Sequence, residues 1–241
     1  SFMVGKRGLY QTMNFIDDSR KKTPLKHGYQ YKPHILEKYG RIFSEEHLPK
    51  YSSKISSIIQ IIKKSKGIIM IYSQYIDGGV VPLALALEES GFARFGTASH
   101  NKSLFSIPPS EPLDSLTMKP RTDLQDKTKF KQAKYVLITG DKAFSPQNAE
   151  DLKEVTKNEN KNGENVKVII ISKAGSEGLD FKNIRQTHLL DPWYNTNRAE
   201  QIIGRGVRNL SHCALPFEER NVEIYMHVTY LDKNNSMEAA D

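Results

Sequence analysis

The sequence predicts an α/β fold in which a parallel sheet is flanked by helices. Short continuous apolar runs recur at Ile68 to Ser73 (IIMIYS), Tyr135 to Asp141 (YVLITGD) and Val166 to Ser172 (VKVIIIS). Unbroken runs of this length are expected of strands buried on both faces. Segments with helical spacing lie between them, and Gly67, Gly91 and Gly163 punctuate the boundaries. Strands alternating with helices in this way need crossover connections, so the sheet is expected to be parallel.

Taken in order, residues 1–50 are basic and polar with no clear period, and read as an irregular extension or linker. Residues 51–64 place Ile55, Ile58, Ile59 and Ile62 at helical spacing, with serines able to cap the start. The strand at Ile68 follows, then a Gly78-Gly79 turn and a helix in VVPLALALEESG that Gly91 closes. Residues 97–130 carry Pro108, Pro109, Pro112 and Pro120 among polar and basic residues, the pattern of a long, partly disordered surface insertion. After the strand at Tyr135 come an amphipathic helix at 146–158, the strand at Val166 and a strand THLLD at Thr187 to Asp191. A helix at 196–208 and a last strand from Val222 complete the series. Residues 51–241 are therefore expected to form one domain bearing the Pro-rich insertion.

Composition excludes several classes. No run of about 18 apolar residues exists, so no membrane helix and no membrane partner are expected; nor does the N-terminus carry a signal-peptide core. Ser1 and Phe2 precede Met3, as in an excised fragment. The single cysteine, Cys213, can form no internal disulfide and frames no zinc site, which fits a reducing, intracellular compartment. The seven histidines show no ligand spacing, so no metal site is expected, and His212 beside Cys213 reads as structural. A net charge of +7 suits a polyanionic partner without establishing one.

In a parallel sheet the working loops lie at the carboxyl ends of the strands, which selects those after Ser73, Ser172 and Asp191. On the helix 196–208, Gln201, Arg205 and Arg208 share one face, while Ala199, Ile202, Ile203 and Val207 form an apolar stripe for the sheet. Guanidinium groups one turn apart suit bidentate recognition of phosphate oxygens and stabilise charge on a transferring phosphoryl group. On helix pattern alone, a solvated basic face is the plainer account. Gly204 and Gly206 would each cost about 1 kcal/mol in a helix interior, which close approach of another backbone or a ligand would explain. In ISKAGSEGLDF, Ile171 to Phe181, Gly175 and Gly178 let backbone N–H groups face an anion. Asp180 could accept from a ribose hydroxyl and Glu177 could orient an arginine. Taken singly, the loop is an ordinary Gly-rich turn.

Together these stretches carry a resemblance. SKAGSEGLD resembles motif V and QIIGRGVR resembles motif VI of superfamily 2 helicases, and IIMIYSQY is a looser match to motif IV. The resemblance runs from about Tyr51 to Leu231 and leaves the Pro-rich insertion unmatched. YSSKISSII, YVLITGD, AGSEGLDFKNIRQTHLLDPWYN and the tail NLSHCALPFEERNVEIYMH are more narrowly similar to helicase-like NTPases of nucleocytoplasmic large DNA viruses, the group that includes the small subunit of the poxvirus early transcription factor.

The resemblance implies a second RecA-like domain of an ATP-dependent helicase or translocase. Arg205 and Arg208 would reach the γ-phosphate of ATP held, with Mg²⁺, by an N-terminal RecA-like domain of the same protein. Arg208 would be the arginine finger and Gln201 its support. Gly178, Asp180 and Glu177 would lie on the ribose side, and Ser73, Gln74, Ser172 and Lys173 would touch a DNA or RNA backbone. Viral RNA polymerase or transcription-factor subunits become candidate partners, and the host cytoplasm (a viral factory) or the virion the setting. No G-x-x-x-x-G-K-[ST] loop is present, GKRG at Gly5 has the wrong spacing, and SEEH at Ser44 reads as a helix-capping acidic turn. The fragment alone is thus expected to be inactive. Trp193 reads first as a wedge between strand and helix and second as a base-stacking group. Two alternatives stay open: a Swi/Snf-type duplex translocase, and a non-catalytic nucleic-acid-binding transcription-factor module.

Overall fold

The computed structural model describes residues 5–17, 27–96, 103–107, 111–141, 144–145, 148–176, 178–192 and 196–229. Its strands are β1 (Met13–Asp17), β2 (His27–Tyr31), β3 (Ile68–Tyr72), β4 (Ala93–Arg94), β5 (Lys134–Ile138), β6 (Val168–Ile171), β7 (Ile184–Leu189) and β8 (Glu223–Met226). Its helices are α1 (Gly5–Thr12), α2 (Pro33–Tyr39), α3 (Leu48–Tyr51), α4 (Ser53–Lys64), α5 (Val81–Glu89), α6 (Asn148–Val155) and α7 (Thr196–Gly206).

The main sheet has the order β4-β5-β6-β3-β7-β8, and every pairing in it is parallel. The predicted fold class is the observed one. Alternate residues of the central strands enter two separate cores. Ile69, Ile71, Leu137, Val168 and Ile170 pack with Ile55, Ile58, Ile59 and Ile62 of α4 and the apolar residues of α5. Ile68, Met70, Val136, Ile138, Ile169 and Ile171 pack with Val155 of α6, Phe181 and Ile202 of α7. Burial on both faces is why these strands read as unbroken apolar runs. Each of the four isoleucines of α4 contributes about 1.5–3 kcal/mol on burial, and Ser52 caps that helix by accepting from the Ile55 N–H at 3.3 Å.

Residues 5–17 and 27–50 depart from the irregular extension expected of them. α1 leads into an antiparallel β1–β2 pair with Met13 opposite Tyr31, and α2 and α3 follow. Leu9, Met13, Tyr29, Tyr31, Ile35, Ile42, Phe43 and Leu48 join the core that holds α4 and α5. The Tyr31 hydroxyl donates to Glu89 Oε1 at 2.7 Å and accepts from the Phe43 N–H at 3.2 Å, while Arg41 pairs with the same Glu89 at 3.0 Å. Each element is too short to show a period. SEEH forms a turn into α3, and its Glu45 pairs with Lys63 of α4; the helix N-cap, His47, makes no side-chain cap bond.

The insertion is also tied down over its described residues. Glu88 is buried, and its carboxylate accepts from the Leu104 N–H (2.8 Å), the Phe105 N–H (3.1 Å), the Tyr135 hydroxyl (2.6 Å) and Ser103 Oγ. Burial pushes the Glu88 carboxyl upward and these donors oppose the rise. Leu104, Phe105, Leu113 and Met118 enter the core, so the segment is no loose surface excursion there. Asp114 closes a turn by accepting from Thr117 N–H and Oγ1, both at 2.8 Å, and from the Lys131 N–H at 3.1 Å.

Candidate nucleotide and nucleic-acid face

The loops after β3 and β7 meet at the carboxyl edge of the sheet, where α7 begins with Arg198 beside Tyr72; α7 then runs back across the sheet, and its end packs on Ile184 at the start of β7. α7 turns Ile202 into the core. A Cβ on Gly206 would stand 3.2 Å from Ile184 Cγ2 and from Thr187 Oγ1, so glycine lets the helix end lie close on β7. Nothing comes within 4 Å of a Cβ on Gly204, and the close approach expected there is not made within this chain.

The loop after β6 and the end of α7 are joined at three points. The Phe181 N–H donates to the Arg205 carbonyl at 3.2 Å, Arg205 Nη1 donates to the Leu179 carbonyl at 3.1 Å, and Arg208 Nη1 meets Asp180 Oδ2 at 2.8 Å. Arg208 Nε also donates to the Gly204 carbonyl at 3.2 Å, closing the helix end. Gln201 is exposed on the same face. Gly178 is exposed and has φ 72, a left-handed conformation that favours glycine. A Cβ on Gly175 would lie 2.1 Å from the Ile138 carbonyl oxygen, so the loop backbone rests on the end of β5. Of the expected site residues, Glu177 lies outside the described residues, as does Trp193.

The expected nucleic-acid contacts divide. Ser73 and Ser172 are buried, at 0% and 2% exposure, and do not present their hydroxyls to solvent. Ser73 Oγ donates to Asp191 Oδ2 at 2.5 Å and accepts from the Tyr75 N–H at 3.2 Å. Ser172 Oγ accepts from the Gly175 N–H at 3.2 Å. Both hydroxyls are consumed in shaping their own loops, because a strand end that turns at once leaves backbone N–H groups to satisfy. Gln74 is partly exposed and Lys173 exposed.

Arg198 was missed by motif reading. Its Nη2 donates to the Tyr72 hydroxyl at 2.8 Å, and its guanidinium carbon stands 6.0 Å from the centre of that ring. Its spacing to Gln201 and Arg205, i+3 and i+7, would have placed it on their face. Burial raises the Tyr72 phenol and Arg198 opposes the rise.

A second missed cluster joins β7 to β8. Gln186 Nε2 donates to Glu223 Oε2 at 2.7 Å, which turns Gln186 Oε1 toward His188 Nε2 at 3.3 Å. With that assignment His188 carries its proton on Nε2, and its Nδ1 accepts from His227 Nε2 at 2.9 Å. The two imidazoles lie 5° from parallel, and Tyr225 stacks on His188 at 4.6 Å. Burial, then His227, pushes His188 down to about 3. Burial, then Lys54, lowers His227.

The chemistry of exposed Arg208 and Gln201, and of the partly buried Arg205, suits polyphosphate oxygens. An open cleft of about 440 Å³ lies between Arg208 and Ile224 and includes neither Gln201 nor Arg205 in its lining. For Mg²⁺ the fit fails: among the described residues no group of three His, Cys, Asp or Glu could hold a metal ion. Nor is any described helix long and apolar enough to cross a membrane.

A six-stranded parallel sheet flanked by helices, with an arginine-bearing helix after β7, is consistent with a RecA-like helicase C-terminal domain. Residues 112–209 match the family model of the helicase conserved C-terminal domain. Its relatives are viral. The chain is 31% identical over 194 residues to a termination factor NPH-I homolog of African swine fever virus, covering 73% of this chain and 26% of that protein. It is 48% identical over 63 residues to a putative ATP-dependent RNA helicase of Acanthamoeba polyphaga mimivirus, covering 26% of this chain and 14% of that protein. It is 38% identical over 88 residues to nucleoside triphosphatase I of Heliothis armigera entomopoxvirus, covering 36% of this chain and 14% of that protein. The chain thus spans about a quarter of the length of the first of these relatives.

Proposed function

We propose that this chain is the C-terminal half of an ATP-driven nucleic-acid motor and completes an ATPase centre whose other half is an N-terminal RecA-like domain of the same protein. One observation carries the reading: the segment between β6 and β7 holds Arg205 through the Leu179 carbonyl and Arg208 through Asp180, with Arg208 half-exposed. In this reading residues 51–241 are the RecA-like unit.

Arg208 leaves Asp180 and turns its guanidinium to the γ-phosphoryl group, where negative charge builds in the transition state. Arg205, anchored on Leu179, holds the neighbouring oxygens, and Gln201 supports the same network. Asp180, once released, accepts from a ribose hydroxyl beside Gly178, with Glu177 on the same side. Mg²⁺ would be bound by the N-terminal domain and would neutralise the phosphates there. Gln74 and Lys173 meet a DNA or RNA backbone, and Ser73 and Ser172 shape the loops that carry them. Such contacts fix position without reading sequence. The names of the relatives support a setting in viral transcription, with RNA polymerase or transcription-factor subunits as partners in the host cytoplasm or the virion. The chain lacks a phosphate loop, so by itself it hydrolyses no ATP.

The test uses the full-length protein. Arg208→Ala should lower kcat for ATP by about a thousandfold or more while nucleic-acid affinity holds. Undiminished turnover in that variant would sink the assignment.

A further inference from the structure

We propose that Arg198 and Asp191 form a two-point clamp that couples the loop after β3 to the arginine-bearing helix α7, making Arg198 a positioning residue for ATP turnover stimulated by nucleic acid. The inference rests on the functional reading above, which puts nucleic acid at the loop after β3 and phosphate at α7.

The clamp grips two adjacent residues at the tip of β3. Ser73 is tied to Asp191, at the exit of β7, by the 2.5 Å hydrogen bond. Tyr72 is tied to Arg198, in the first turn of α7, by the 2.8 Å bond from Nη2. Between these two points the Leu190 N–H donates to the Tyr72 carbonyl at 2.9 Å. Tyr72 and Ser73 are 2% and 0% exposed. Hydrogen bonds to an ionised group are strong and directional, so the bond from Arg198 couples the start of α7 to the β3 tip, and Asp191 holds that tip to the exit of β7.

Each end of the clamp leads to one proposed site. Ser73 accepts from the Tyr75 N–H at 3.2 Å, and Tyr75 itself is 51% exposed, so a ligand that moves the Gln74–Tyr75 turn pulls on Ser73. At the other end Arg198 lies on the α7 face that carries Gln201 and Arg205. A helix transmits a displacement of its first turn along its axis, and Arg205 is two turns further on. Gly79 makes room for the clamp: a Cβ there would stand 2.0 Å from Ser73 Oγ, so any side chain at this position would push the hydroxyl from its place beside Asp191. Arg198 touches neither proposed ligand. Its role is to make α7 register what happens at β3.

Tyr72→Phe isolates the effect, because it removes the hydroxyl and keeps the ring. In the full-length protein, ATP turnover is measured with and without single-stranded and duplex DNA or RNA. Tyr72→Phe should cut the stimulated kcat about tenfold and leave the unstimulated rate, the KM for ATP and the nucleic-acid Kd unchanged. Arg198→Met should match it, and Arg198→Lys, which keeps a cationic donor, should retain most of the stimulation. Full stimulation in Tyr72→Phe and Arg198→Met overturns the clamp. An equal fall in stimulated and unstimulated rates, with a lowered Tm, also overturns it, because the contacts then only hold the fold. Absence of turnover in the unaltered protein would instead overturn the functional reading itself.

Discussion

Arg208 and Asp180, which the nucleotide reading sets against phosphate and ribose respectively, hold each other at 2.8 Å. Their side chains are 49% and 57% exposed. A pair so open to water contributes between 0 and about 1 kcal/mol. Asp180→Asn should therefore leave thermal unfolding of this chain almost where it was, and in the full-length protein should raise the KM for ATP. A fall in Tm beyond the few degrees that about 1 kcal/mol allows would show the pair to be structural instead.

The His188–His227 pair sets a pH dependence. Both imidazoles have folded pKa values below their ordinary one, so the fold favours their neutral forms. Their stabilising contribution is complete above about pH 6.5 and is lost as the pH falls toward the value of about 3 for His188. Asp151 works the other way. Burial raises it to about 6, so its contribution is complete below its unfolded value and is lost as the pH rises through 6. Urea midpoints between pH 7.5 and 4.5 should fall more steeply in Asp151→Asn than in the unaltered chain, and less steeply in His227→Gln. Parallel profiles for all three chains would refute this assignment of the titrating groups.

Glu88 stitches the insertion to the sheet. Glu88→Ala would leave the Leu104 N–H and the Tyr135 hydroxyl without their acceptor, and the Phe105 N–H with Ser103 Oγ alone at 3.1 Å. At about 1–3 kcal/mol for each of these two groups, the free energy of unfolding should drop by at least about 2 kcal/mol. Glu88→Gln keeps a carbonyl acceptor and should lose less. Denaturant titration decides, and a drop below about 1 kcal/mol in Glu88→Ala would remove the stitch from the account.

Gly79→Ala should cost about 1–3 kcal/mol through overpacking, since its methyl would overlap Ser73 Oγ. If that overlap is the cause, pairing it with Ser73→Ala should give a double variant less destabilised than the two single losses added. Strict additivity in a denaturation cycle would place the strain elsewhere.

The main sheet was legible because β3, β5 and β6 are buried on both faces and cannot alternate. Helical spacing puts Gln201 and Arg205 in one register on α7, but the helix expected to reach 208 ends at Gly206, and Arg208 is placed instead by its bonds to the Gly204 carbonyl and Asp180. The first fifty residues were not, because α1, β1, β2, α2 and α3 are too short to display a period and owe their order to long-range contacts such as Tyr31 with Glu89. Ser73 and Ser172 show a different limit. Motif position marks the right loops, but whether a hydroxyl faces outward depends on which backbone N–H groups the turn leaves to satisfy. The partnership of His188 with His227 spans 39 residues, and no local pattern announces it.

The aromatic hairpin of β1 and β2 makes the folding unit larger than the stretch bearing the motifs. A cut at Tyr51, where the helicase likeness begins, would strip Tyr31 and Arg41 from Glu89 and bare the isoleucines beneath them. A fragment trimmed to the motifs should therefore aggregate, whereas one that starts ahead of α1 should stay dispersed. Gene shuffling that exchanged motor halves at the motif boundary would meet the same obstacle, and viable junctions should fall upstream of the hairpin.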